Sequence, residues 1–219
     1  GFFQYAGQLQ SMPCLVEDYV FDDLNSTSRN LVNCGLNNLF GEVSWFYCSS
    51  GSNVVDRVVT YNYLESVMLK KPIWYTGSLP RTAWEDSSIF DKPHACYYDN
   101  ADDVSFDVVG NTDGITIYYE HETGTDQVNA GGAVTAVLAQ ITSGDFDITQ
   151  KRAAQGQLRG DGEYLMKIRR FLPDFITQTG DTRITLMLRN YPNDAAAGSS
   201  LGPFTITSST DKVDTRARA

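Results

Sequence analysis

The sequence is poor in the residues that most catalytic and metal sites use. It contains two histidines, and its four cysteines are widely spaced with no Cys-x-x-Cys pair. A Ser/His/Asp or Cys/His site therefore has little material to draw on, and a zinc site needs ligands at closer spacing. We expect no enzymatic activity, no metal and no cofactor. We also expect free thiols, as suits a protein assembled in a cytoplasm, at Cys14, Cys34, Cys48 and Cys96.

Long apolar runs are also missing. No stretch of 18 or more apolar residues occurs, so the sequence predicts no membrane span. The chain starts at Gly1, and residues 214–219 read like a strand cut in its middle. We therefore expect it to be a fragment, or the ordered part, of a longer protein, with residues 99–219 a C-terminal part of that protein.

Basic residues are scarce in the first 150 positions. That stretch carries 6 Lys and Arg against 20 Asp and Glu, whereas residues 151–219 carry 11 against 7. The acidic surplus argues against tight DNA binding, which needs a clustered basic face. The difference between the two parts favours self-association or two different neighbours. The alternative is that the chain has an ordinary acidic surface and that its basic C-terminal part has no functional role.

The chain contains short runs rich in β-branched and aromatic residues, in which apolar and polar side chains alternate with a period of two. Gly, Asn, Asp and Ser turn signals separate these runs, and helix is scarce, with residues 26–37 as the best candidate. The pattern predicts an all-β fold of sandwich, barrel or propeller type. The predicted strands are 43–47, 55–63, 73–76, 104–109, 115–122, 133–141, 164–168, 183–188 and 204–207.

Residues 45–84 form an aromatic block with the size and rhythm of one β-propeller blade. We expect three or four consecutive strands, tryptophans at strand centres, Asp–Arg pairs across neighbouring strands, and a protruding loop at 67–72. Near residues 95–103 the composition shifts to plain hairpins. The predicted domains are thus an aromatic-rich, propeller-like region (1–98) and a β-hairpin or sandwich module (99–219). Candidate structural residues in the block are Trp45, Asp56, Arg57, Trp74, Arg81 and Trp84.

The same block, read as Trp45-Phe46-Tyr47, Asp56-Arg57, Tyr61-Asn62-Tyr63, Trp74-Tyr75 and Arg81-Thr82-Ala83-Trp84, resembles a known family. It is similar to the tail-hub, nozzle or packaged-DNA-stabilisation proteins of short-tailed phages. Residues 18–23, 169–175 and 186–191 fit the same family, and the similarity covers most of the chain in scattered blocks. The insertion at 67–72 departs from the family's pattern.

This resemblance implies a structural role in the virion tail. The protein would form a homo-oligomeric ring, a hexamer by resemblance, beneath the portal and adaptor proteins. The ring would close the DNA channel, let DNA pass without tight binding, and dock tail fibres, a spike or a plug below. Assembly would take place in the host cytoplasm.

The same residues also allow other interpretations. Exposed tryptophans would suit a carbohydrate-binding or glycan-cleaving tail protein, and blade periodicity alone would also suit a cellular propeller scaffold. His121 is expected to be structural or on the surface. In the later part of the chain, Arg169 and Arg170 are interface candidates, with Asp174 or another subunit's carboxylate as a bidentate partner.

Overall fold

The computed structural model describes residues 1–87, 89–99, 115–128, 134–137, 139–144, 166–189 and 199–218. These residues are mostly β, in small antiparallel sheets with little helix, so the predicted all-β class is confirmed. The predicted strand 104–109 lies outside them. The strands are β1 (Phe3–Tyr5), β2 (Leu9–Ser11), β3 (Asn33–Asn37), β4 (Glu42–Tyr47), β5 (Arg57–Asn62), β6 (Ile73–Gly77), β7 (Ala83–Glu85), β8 (His94–Asp99), β9 (Ile115–Glu120), β10 (Asp126–Val128), β11 (Val134–Ala136), β12 (Lys167–Phe171), β13 (Thr182–Leu188), β14 (Ser199–Ile206) and β15 (Val213–Arg218).

The chain divides into two compact units, residues 1–138 and 139–219. The boundary predicted from composition, near residues 95–103 and placed between 98 and 99, falls inside β8. β8 and β9 are hydrogen-bonded neighbours in the sheet β7-β8-β9 and belong to the first unit. The change in composition therefore lies within a strand of the first unit.

The centre of the first unit is a four-stranded antiparallel sheet in the order β3-β4-β5-β6. Its two middle strands are buried on both faces because alternate side chains point to opposite sides. On one face Tyr47 and Val59 join Phe2 and Val20 in a core cluster. On the other face a second cluster contains Phe46, Cys48, Val55 and Val58. Such two-sided burial explains the dense run of aromatic and β-branched residues in β4 and β5.

Two short α-helices, α1 (Glu17–Asp23) and α2 (Tyr63–Leu69), flank this sheet. α2 corrects the prediction, which continued a strand to residue 63 and placed a loop at 67–72. The strand ends at Asn62 because its side chain caps the helix, accepting a hydrogen bond from the Glu65 backbone N–H at 2.9 Å. The helix ends at Lys70, whose φ of 54° is left-handed.

The helix predicted over residues 26–37 is correct only for its first half. A 3₁₀ helix spans Ser26–Leu31, capped by the Asn25 side chain, which accepts a hydrogen bond from the Thr27 backbone N–H at 3.0 Å. Val32 is extended, and the chain then enters β3, where it pairs with β4. Pairing with the next strand, β4, thus overrides the local helical pattern.

The blade prediction also needs a correction at β7. The sheet contains consecutive strands, as one blade would, but β7 leaves it and pairs with β8. The described residues form separate small sheets and show no propeller and no closed barrel. In the second unit β12 pairs with β15 and β13 with β14, each pair with an irregularity in its register.

No helix in the described ranges is long and apolar enough to cross a membrane.

Candidate functional site

Trp45 and Trp74 form a stacked pair on one face of the central sheet. They lie on β4 and β6, with ring centroids 5.9 Å apart and planes 27° apart. Phe2 contacts both indoles, at 5.2 and 4.7 Å between centroids. The Trp74 indole N–H donates to the Pro13 carbonyl at 2.9 Å. Both rings therefore hold the N-terminal segment against the sheet, and their faces are largely occupied.

Trp84 packs on the opposite side of the sheet, apart from the other two tryptophans. Its ring stacks on Phe46 with 5.6 Å between centroids, and its indole N–H donates to the Leu36 carbonyl at 2.6 Å. Gly35 makes this approach possible, since a Cβ there would lie 2.4 Å from the Trp84 Cγ. The three tryptophans consequently do not converge on one sugar-binding platform.

Arg57 connects helix α1 to the start of β5. Its Nε lies 3.6 Å from an Asp23 carboxylate oxygen and 3.9 Å from one of Asp56, and its Nη1 donates to the Ser78 hydroxyl at 2.7 Å. Asp56 in turn accepts hydrogen bonds from the Ser49 backbone N–H and hydroxyl, both at 2.7 Å. The pairing predicted across neighbouring strands is not found at Arg57, whose acidic partners are the adjacent Asp56 and Asp23 of α1.

The same end of the sheet holds the buried Tyr47 hydroxyl. Burial raises the pKa of Tyr47 to about 12, and the nearby Asp23 carboxylate adds to the shift. Among the described residues this hydroxyl and the Arg57 Nε have no hydrogen-bond partner. The phenol therefore stays protonated near neutral pH.

Arg81 is a buried cation with neutral partners. Its side chain lies over the Tyr119 ring, 3.9 Å from guanidinium carbon to centroid, and its Nε donates to the His121 Nε2 at 2.9 Å. Its Nη1 donates to the Pro80 carbonyl at 2.6 Å. No carboxylate in the described part of the chain forms an ion pair with Arg81, so the predicted Asp pairing is not found there. Burial lowers the pKa of Arg81.

His121 follows β9 and completes this cluster. Burial, followed by the Arg81 charge, lowers the pKa of His121 to about 4, so the imidazole is neutral at pH 7 and accepts the Arg81 hydrogen bond. Its ring lies 4.5 Å from that of Trp84. The sequence indicated a structural or surface role, and in the structure the half-buried ring packs between Arg81 and Trp84.

In the second unit, Arg170 pairs with Asp214 rather than with Asp174. The two residues are opposite each other in the β12–β15 register, and the Arg170 Nε donates to the Asp214 carboxylate at 2.5 Å. This ion pair lowers the pKa of Asp214. Asp174 lies exposed beyond the end of β12, and Arg169 is exposed on the strand. The pairing of β12 with β15 therefore brings Arg170 together with a residue 44 positions further along the chain.

Among the described residues, no cluster of three His, Cys, Asp or Glu side chains is suited to hold a metal ion. The four cysteines are free, as predicted. His94 shares a hydrogen bond with the Tyr118 hydroxyl and contacts the Phe90 ring. The candidate residues pack strands, helices and the N-terminal segment against one another.

One end of the central sheet carries an exposed apolar surface that was not predicted from the sequence. α2 turns its apolar side chains outward, and the β3–β4 turn beside it is also apolar. We call this surface the tip patch. Its members are Leu39, Phe40, Leu64, Val67, Met68 and Leu69, which are 64%, 47%, 48%, 76%, 79% and 57% exposed. The alternation of side chains that predicted a strand over residues 55–63 does not predict this surface.

The geometry defines an all-β protein whose prominent side chains serve structure and whose surface carries apolar patches. A scan against protein-family models, a search of the curated proteins and a search of the solved structures each found no match.

Proposed function

We propose that this chain is a virion structural protein, a subunit of the ring that forms the head-to-tail connector or tail hub of a short-tailed phage. The observation that carries the proposal is the exposed apolar surface of the first unit. Leu9, Leu15 and Tyr5 are 68%, 77% and 76% exposed, in addition to the tip patch. Extended apolar exposure in a folded protein marks surfaces that other proteins cover.

The candidate residues support a mechanical role. Trp45 and Trp74 clamp the N-terminal segment, Arg57 ties α1 to β5, and Arg81 is enclosed between Tyr119 and His121. Each group contacts residues far away along the chain. Such interlocking resists deformation, which is what the wall of a ring under DNA pressure requires.

The charge of the first unit suits a channel through which DNA slides. Residues 1–138 contain 18 acidic and 6 basic side chains. Each basic contact to a phosphate adds salt-dependent affinity, so a basic wall would retain the DNA. An acidic wall lets it pass. The neighbours would be other copies of the chain, portal and adaptor proteins above, and tail fibre, spike or plug proteins below, as the family resemblance implies.

Electron microscopy of the purified chain tests this proposal. We expect negatively stained particles to show closed rings of several subunits, and light scattering to give a mass that is a multiple of 24.3 kDa. A strictly monomeric chain at all accessible concentrations would contradict the proposal. A glycan array is the companion measurement, because specific sugar binding abolished by Trp74→Ala would support the carbohydrate-binding alternative instead.

A further inference from the structure

Helix α2 is inverted relative to an ordinary surface helix. Its buried residue is Ser66, whereas Leu64, Val67 and Met68 lie on the opposite, exposed side. Helices of globular proteins normally bury the apolar side and expose the polar one. The Ser66 hydroxyl explains the inward side, since it donates to the Asn62 carbonyl at 2.5 Å and accepts from the Ile73 backbone N–H at 2.8 Å.

The tip patch is bordered by positive charge. Lys70 and Lys71 follow α2 directly and are both exposed. Two lysines next to an apolar patch are unusual in a unit with only 6 basic side chains. A partner that fits this surface would offer apolar rings and carboxylates together.

Helix α1 offers that combination. Its exposed face carries Asp18, Tyr19, Phe21 and Asp22, while Val20 on the other side is buried in the core. Tyr19 is 56% exposed and Phe21 is 41% exposed. We call Asp18, Tyr19, Phe21 and Asp22 the α1 face.

The two surfaces lie at opposite ends of the central sheet. The end of α1 is joined to the end of β4, because the Ser50 hydroxyl donates to Asp23 at 3.1 Å and Leu24 bridges to Ser49. α2 begins at the other end, where β5 finishes at Asn62. A six-residue strand such as β5 separates the ends by roughly 20 Å. Within one molecule, α1 and α2 are therefore attached at different ends of this sheet.

We propose that the tip patch of one copy of this chain docks on the α1 face of the next copy. The apolar side chains meet Tyr19 and Phe21, and Lys70 and Lys71 approach Asp18 and Asp22. Contacts between two different surfaces of identical subunits are head-to-tail, and they close into rings when the rotation between copies permits. This inference rests on the proposed ring function and names the surfaces that would build it.

A pair of single substitutions tests the apolar half of the interface. Met68→Asp places a charge in the tip patch, and Ile89→Asp makes the same kind of change at an 85% exposed apolar residue elsewhere in the first unit. In sedimentation velocity we expect Met68→Asp to weaken self-association at least tenfold, and Ile89→Asp to leave it within about twofold. Because both side chains are exposed, both variants should keep the wild-type circular dichroism spectrum. Equal self-association of the two variants would overturn the inference.

A charge exchange tests the partner. Lys70→Glu/Lys71→Glu and Asp18→Lys/Asp22→Lys should each be monomeric alone, since like charges would then meet. An equimolar mixture should assemble through two contacts. In one, the glutamates of the changed tip patch meet the lysines of the changed α1 face; in the other, a wild-type tip patch meets a wild-type α1 face. A mixture that stays monomeric would overturn the inference, and recovery on mixing also shows that both variants are folded.

Other outcomes separate this inference from the proposed function. Rings that persist in Met68→Asp would remove the inference and leave the ring function intact. Assembly into dimers that Met68→Asp abolishes would support the docking surfaces and contradict the ring. A monomeric wild-type chain would contradict both, and in that case flotation of the chain with anionic lipid vesicles, lost in Met68→Asp, would assign the tip patch to a membrane surface.

Discussion

Arg81 and His121 show how a residue's surroundings determine its chemistry. Arg81 is 7% exposed, and its partners are an imidazole, a carbonyl and an aromatic ring. A buried cation without a carboxylate is costly unless its hydrogen bonds are made. His121 serves as an acceptor only while it is neutral, so the pair is sensitive to acid.

Stability of the first unit should fall as the pH drops from about 6.5 to about 4. The unfolded His121 takes up a proton near pH 6.5, whereas the pKa of the folded residue is about 4. Between these values the unfolded state binds more protons and is favoured. Tryptophan fluorescence during urea unfolding measures this, since Trp45, Trp74 and Trp84 all lie in the first unit.

The matched variants for this measurement are His121→Gln and His94→Gln. Gln offers an amide oxygen to Arg81 but does not titrate, so His121→Gln should show a smaller loss of stability between pH 6.5 and 4 than wild type. His94→Gln removes the chain's other imidazole and keeps His121 as the acceptor for Arg81, so it is the comparison variant. If His121→Gln followed wild type, the assignment of the acid sensitivity to His121 would be wrong.

Gly35→Ala should destabilise the first unit through the Trp84 contact. The added Cβ would lie 2.4 Å from Cγ and 2.8 Å from Cβ of Trp84, so the indole must move and disturb its stacking on Phe46. Overpacking of this kind costs about 1–3 kcal/mol. Gly77→Ala is the control, because its Cβ would meet only the Val58 Cγ1 at 3.6 Å. Equal unfolding midpoints in urea for the two variants would contradict the packing argument.

At the scale of elements, local and long-range forces decide different features. The positions of β4, β5 and β6 were predicted to within one or two residues, because alternation of aromatic and β-branched residues is a local property. In α2 only Tyr63 was predicted as strand, and residues 67–69 were predicted as part of a protruding loop. A helix this short gives too few turns for its period to be recognised in the sequence. Asn62 decides the outcome by capping the helix.

Asn62→Ala should therefore shorten or loosen α2. The substitution removes the acceptor for the Glu65 N–H and the donor to the Phe40 carbonyl at 3.3 Å. Loss of an N-cap costs about 1 kcal/mol. Asn62→Ser keeps a capping oxygen and should recover part of the loss. Thermal unfolding followed by tryptophan fluorescence gives the comparison, and a Ser variant no more stable than the Ala variant would show that capping is not the cause.

At the scale of the whole molecule, charge separates the two units. The first has a large acidic surplus, while residues 139–219 contain 11 basic and 9 acidic side chains. A uniform surface would keep copies apart, whereas unlike units allow neighbours to attract each other. The charge distribution is readable from the sequence, but the ends of the sheet at which its patches lie are not.

Reversing exposed acids of the first unit should slow DNA ejection if they line a channel. We expect virions carrying Glu85→Lys/Glu120→Lys/Asp126→Lys to eject DNA more slowly at low salt, with the delay shrinking as salt is added. The neutral set Glu85→Gln/Glu120→Gln/Asp126→Asn is the control and should show a smaller delay. Ejection kinetics identical to wild type in the lysine variant at all salt concentrations would count against an acidic channel wall at these residues.

The amino-acid sequence alone determined the all-β class and the central strands, because side-chain alternation and turn residues act over a few neighbouring positions. Only the tertiary structure decided that Arg57 meets Asp23, that Arg170 meets Asp214, and that α2 turns its apolar side outward. The two ion pairs join residues 34 and 44 positions apart, and the inward side of α2 is held by the Ser66 hydrogen bonds to Asn62 and Ile73, where β5 and β6 pair. Such contacts form only when sheet pairing brings the segments together, so no local pattern encodes them.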